Sequence, residues 1–101
     1  MVVTAATNNV LAATEQALIT AFLDQLWLDK GVSEHTLSAY GTDLSKFALF
    51  LQQQGQQLTA VDQMLLNSYL AHRVDQGFSP RSTSRALSSL RRFYRHLHKT
   101  K

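Results

Sequence analysis

Six side chains able to contact phosphate recur at intervals of three and four near one end of the sequence: Arg81, Arg85, Ser88, Arg92, Arg95 and Lys99. At 100° per residue they share about 80° of a helix surface, with Arg91 on the flank. Seven of the ten Lys and Arg residues lie between 81 and 101, where there is no Asp or Glu, whereas residues 1–80 hold three bases against seven acids. The formal charge of +3 therefore conceals a strongly polarised molecule. Clustered cations release condensed counterions from a phosphate-rich partner, so this pattern points to nucleic acid. A solvated basic face is the ordinary reading of charges on an amphipathic helix. A helix built for solubility alone, however, mixes signs through i,i+4 pairs, and here acids are absent after Asp75. On charge alone, an anionic membrane surface and an acidic protein partner compete with nucleic acid.

The segment Ser79-Pro80-Arg81-Ser82-Thr83 adds to the signal. The free amides of a helix N-terminus, with Arg81 and Ser82 beside them, can hold a phosphate, while Thr83 sits near the apolar arc. Catalytic chemistry finds less support. Tyr40, Tyr69 and Tyr94 each lie on an apolar stripe and are read as core residues with a polar tip. The four histidines show neither a metal spacing nor a histidine–carboxylate arrangement suited to acid–base chemistry, and the absence of cysteine excludes thiolate metal sites and disulfides. No cofactor is implied.

These side chains need a scaffold, and the apolar periodicity supplies an all-α one. A first helix spans 15–30, with Leu18, Ile19, Phe22, Leu23 and Leu26 on its stripe, Thr14 as cap and Gly31 as stop. Trp27 sits beside that stripe and is expected to be partly buried. Ser33 caps a second helix, on which Leu37, Tyr40, Leu44, Phe47, Ala48 and Leu51 form a stripe ending at Gly55. Asp62 caps a third, with Leu66, Tyr69, Leu70 and Val74 facing inward and Gly77 as terminator. Ser79-Pro80 starts the fourth, since serine caps and proline suits the first helical position. Its inner arc of about 120° carries Ala86, Leu87, Leu90, Phe93, Tyr94 and Leu97. Residues 1–13 have no period and are expected to form a loose tail, leaving 14–101 as one domain. The fourth helix lacks a terminating Gly, Asn or Pro before Lys101, which suggests a piece of a longer chain. No apolar run approaches the ~20 residues of a membrane span and no leader is evident. The expectation is a soluble, cytoplasmic protein.

Two segments resemble a known family. The pattern S-x-x-T-x-x-x-Y-x-x-D-L-x-x-F at Ser33, Thr36, Tyr40, Asp43, Leu44 and Phe47, and S-x-R-S-T-x-R-x-L-S-x-L-R-x-F-Y from Ser79 to Tyr94, are similar to the N-terminal core-binding domain of XerC/XerD-type tyrosine recombinases. The resemblance covers about residues 15–99. It implies a SAM-like four-helix bundle of two crossed helical hairpins, forming half of a C-shaped clamp on a recombination half-site. The second helix would offer Thr36 and Lys46 to double-stranded DNA, and the fourth Arg81, Ser82, Arg85, Ser88 and Arg92. Arg95 and Lys99 join them from the wheel argument. The catalytic residues of that family belong to a further domain absent from this chain, so no catalytic residue is expected here. By the same resemblance the whole protein would be an enzyme that acts as a tetramer of paired recombinases in chromosome dimer resolution, with neither metal nor nucleotide. The isolated domain is expected to be a monomer.

One departure is that the family commonly has two basic residues after the tyrosine, where this chain has Gly41-Thr42. The phosphate contacts expected there are missing, which should weaken binding or shift reliance onto the fourth helix. An integrase of a phage or mobile element, and a helical protein-interaction module with a basic docking helix, stand as alternatives. Neutralising about five phosphates predicts a log–log salt slope near −4 to −5 on duplex DNA. Arg85→Ala and Arg92→Ala are expected to lower DNA affinity without lowering stability.

Overall fold

The computed structural model describes residues 10–99, without the side chain of Lys99. Four helices follow one another: α1 (Ala13–Lys30), α2 (Glu34–Gln53), α3 (Gln63–Asp75) and α4 (Pro80–Lys99), with a 3-10 turn at Leu58–Ala60 between α2 and α3. The described residues contain no strand. α1 pairs with α2 and α3 with α4, and α2 packs against both α1 and α4.

Local chemistry sets the helix starts. The Ser33 hydroxyl oxygen accepts from the Thr36 amide (3.2 Å), the Asp62 carboxylate from the Leu65 amide (2.8 Å), and the Ser79 hydroxyl oxygen from the Ser82 amide (3.1 Å). Each satisfies an amide that the helix itself leaves unpaired. Gly31 (φ 61°) and Gly77 (φ 85°) turn the chain after α1 and α3 in the left-handed region, where a side chain is strained.

The start of α1 differs from expectation. Thr14 is not its cap: the helix begins at Ala13, and Ala12 at the cap position offers no side chain to bond. Gln52 of α2 serves instead, accepting from the Ala12 amide (2.9 Å) and donating to the Val10 carbonyl (2.8 Å). Residues 10–12 of the expected loose tail are thus tied to α2, and residues 1–9 lie outside the described residues.

The core gathers Ile19 and Phe22 of α1, Leu44, Phe47 and Leu51 of α2, Leu58 of the turn, and Leu90 and Phe93 of α4. Burying each large apolar side chain contributes about 1.5–3 kcal/mol. Phe22 meets Phe93 edge-on at 5.5 Å between centroids, and Phe47 meets Tyr69 at 4.8 Å. Gly41 lets α1 approach α2, because a Cβ there would stand 3.3 Å from Leu23 Cδ1. Two expectations fail. Val74 is 69% exposed, while its neighbour Arg73 is only 1% exposed. The buried stripe of α3 runs from Leu66 through Tyr69 to position 73, and residue 74 lies a further 100° around the helix. Trp27, expected to be partly covered, is 51% exposed on α1.

Candidate nucleic-acid interface

The two faces of α4 follow the helical wheel. Ala86, Leu90 and Phe93 are buried and Leu87, Tyr94 and Leu97 partly so, whereas Arg81, Arg85, Ser88, Arg92 and Arg95 are exposed. The side chain of Lys99 lies outside the described residues. Among the described residues, Arg81, Arg91, Arg92 and Arg95 have no carboxylate partner within salt-bridge distance.

α2 borders this stripe. The Lys46 ammonium lies 4.7 Å from the centre of the Phe78 ring, just before α4 begins; Asp43 meets Arg85; and the Arg92 guanidinium lies 5.9 Å from the Tyr40 ring centre. These contacts step backward along α2 as they step forward along α4. Lys46 is thereby brought to the α4 side, as expected of a residue sharing its surface. Thr36 is not brought there by any contact: its hydroxyl oxygen accepts from the Ser33 hydroxyl (3.0 Å) within the cap of α2.

Arg85 differs from its neighbours. Its Nε donates to Asp43 Oδ2 (3.1 Å) and its Nη2 to Asp43 Oδ1 (2.8 Å), while the Ser89 hydroxyl donates to Asp43 Oδ2 (3.0 Å). Asp43 is 2% exposed and Ser89 fully buried, but the Arg85 side chain is 51% exposed. The hydrogen bond from Arg85 to this carboxylate raises the guanidinium pKa above its already high value. The expectation that Arg85 could be removed without loss of stability is therefore corrected, because its removal strands a buried carboxylate. From sequence, Asp43 stands only as one position of the family pattern, with no role assigned, and Ser89 has none. The available signal was an acid at position 43 on the apolar stripe between Tyr40 and Phe47, since a buried acid must have a partner.

Arg73 is a second residue missed. Its Nε donates to Thr83 Oγ1 (3.1 Å), its Nη2 to Ser82 Oγ (2.8 Å) and its Nη1 to the Tyr69 hydroxyl (3.4 Å). Ser82, expected at phosphate, thus accepts from a buried cation, and its own hydroxyl proton remains free to be donated outward. Burial raises the Tyr69 pKa, with the Arg73 hydrogen bond opposing it. Tyr94 donates to the Leu58 carbonyl (2.7 Å), the bond of a structural phenol. Among the described residues no group of His, Cys, Asp and Glu could hold a metal ion, and no helix is long and apolar enough to cross a membrane.

The chain belongs to the phage integrase N-terminal SAM-like domain family, whose pattern it matches over residues 19–101. Its relatives include proteins named tyrosine recombinase XerD. That of Shewanella oneidensis is 56% identical over 84 residues, covering 83% of this chain and 28% of the relative. That of Pseudomonas putida is 45% identical over 87 residues, covering 86% and 29%. This chain therefore spans less than a third of the length of these relatives. No solved structure matches it significantly.

Proposed function

We propose that this chain is the DNA-binding domain of a site-specific tyrosine recombinase, gripping a recombination half-site with the exposed faces of α2 and α4. The observation that carries the reading is the exposed row Arg81, Arg92 and Arg95 on α4, with no carboxylate within salt-bridge distance among the described residues. Family membership and the recombinase relatives support it. Arg81, Arg92, Arg95 and Lys46 serve as phosphate contacts, with Ser82 donating at the start of α4 and Ser88 and Arg85 facing the groove. Thr36 joins them at the start of α2, and Lys99 is included on its spacing in the sequence. The parent protein breaks and rejoins DNA in the cytoplasm as a tetramer of paired recombinases, in chromosome dimer resolution, and the isolated domain is a monomer. The domain spans residues 14–101.

Titrating the chain with duplex DNA over a range of salt tests the proposal. With Arg85 neutralised by Asp43, about four phosphate contacts remain, so the log–log slope should be about −3 to −4 rather than −4 to −5. Failure to bind any duplex at low salt would overturn the reading and favour an acidic protein partner.

A further inference from the structure

We infer that Arg85 reads a guanine in the major groove and that Asp43 is the residue that aims it. This rests on the DNA-binding reading above and adds to it the base recognised and the division of labour within the stripe.

The argument begins with which nitrogens Asp43 occupies. Nε and Nη2 form the side edge of a guanidinium, and both donate to the carboxylate. The end edge, made of Nη1 and the second hydrogen of Nη2, faces away from that bond, and Nη1 has no protein partner among the described residues. Two parallel N–H donors match two adjacent acceptors. Guanine presents such a pair, O6 and N7, in the major groove, whereas adenine presents one acceptor and one donor.

Charge separates Arg85 from its neighbours. A carboxylate 2.8 Å behind the guanidinium cancels most of the attraction for a phosphate while leaving the donors in place. Arg81 and Arg92, one turn before and two turns after it, carry no such counter-charge among the described residues. They suit phosphate, and Arg85 suits a base edge. Position agrees with this: Arg85 lies between them on the exposed arc, and its neighbour on that arc is the short Ser88, which allows the helix to approach the groove closely.

Asp43 is a positioning residue. It is 2% exposed and also receives the buried Ser89 hydroxyl, so it cannot swing to follow the arginine. The arginine rotamer is selected on folding rather than on binding, which removes an ordering cost from the complex. Lysine cannot replace it, having one point donor and no fork.

The test uses the 101-residue chain and a pool of randomised 20-base-pair duplexes, from which bound sequences are enriched at low salt. Each guanine of the enriched duplex is then replaced in turn by 7-deazaguanine, which keeps its pairing but lacks the N7 acceptor. One replacement should weaken binding about tenfold. Arg85→Lys should lose that sensitivity while still binding duplex. Asp43→Asn should discriminate less between sequences yet bind unselected duplex more tightly, with a steeper salt dependence, because the arginine charge is released. The replacement scan needs no protein variant, so a folding defect in either variant leaves the test intact. Binding that no 7-deazaguanine weakens would overturn the guanine assignment and leave the DNA-binding reading standing. Absence of binding to every duplex would overturn both.

Discussion

The Arg73 guanidinium lies 4.1 Å from the centre of the Phe78 ring, so the residues closing the α3–α4 turn stack on a cation buried to 1% exposure. Its three hydrogen-bond partners, Tyr69, Ser82 and Thr83, are all neutral hydroxyls. Arginine tolerates this because its charge is delocalised and its donors diverge in one plane.

Arg73→Lys should therefore destabilise the domain by about 1–3 kcal/mol, since one ammonium cannot serve three oxygens fixed around a planar group. Urea denaturation provides the measurement. An unchanged midpoint would mean that the hydroxyls are satisfied by water instead.

Arg85→Ala and Arg92→Ala should separate in the same experiment. The first leaves Asp43 buried without its cation and should cost about 2–4 kcal/mol, at or below the usual range for a broken buried pair because Ser89 still donates and Arg85 is half exposed. The second loses only a long contact with the Tyr40 ring, worth less than about 1 kcal/mol.

Tyr94→Phe removes the donor to the buried Leu58 carbonyl and should cost about 1–2 kcal/mol near neutral pH. Burial, with a smaller contribution from Glu15, raises the Tyr94 pKa far above its ordinary value of about 10. The folded state therefore keeps a proton that the unfolded chain releases. That contribution is complete below pH ~10 and is lost as pH rises towards the folded value. Stability of the native chain should fall through this alkaline window, and the fall should be shallower in Tyr94→Phe, with Tyr69 supplying the remainder.

Thr42→Lys should strengthen duplex binding and steepen the salt slope by about one unit, because position 42 is exposed on α2 one turn before Lys46. Gly41→Lys should not, since the Cβ at 41 points at Leu23 of α1. Of the two basic residues that the family commonly has after the tyrosine, only one at position 42 is thus expected to reach DNA. Equal gains from both variants would refute this division.

What could be read from sequence was what one element determines by itself. The caps at Ser33, Asp62 and Ser79 and the two-faced α4 depend on neighbours within four residues, and each is found as expected. The surprises are polar groups satisfied by distant partners: Asp43 by Arg85 and Ser89, Glu15 by the Leu58 amide, and Ala12 by Gln52. Periodicity assigns a charged residue to the surface unless its partner is known. Periodicity therefore favours Val74 over Arg73 for the core, although Arg73 is the buried one.

One of these distant arrangements bears on how the chain folds. The Leu58 peptide is held at its amide by Glu15, 43 residues earlier, and at its carbonyl by Tyr94, 36 residues later. Closing loops of that length is entropically slow compared with forming either hairpin. The bonds that hold the turn between the hairpins are therefore expected to form only once the hairpins dock, together with the other contacts of long separation. Weakening either bond should speed unfolding while leaving the refolding rate nearly unchanged, a split that stopped-flow kinetics would resolve. In that case the same two bonds would act as a latch on lifetime, setting how long the two hairpins stay joined more than how fast they meet.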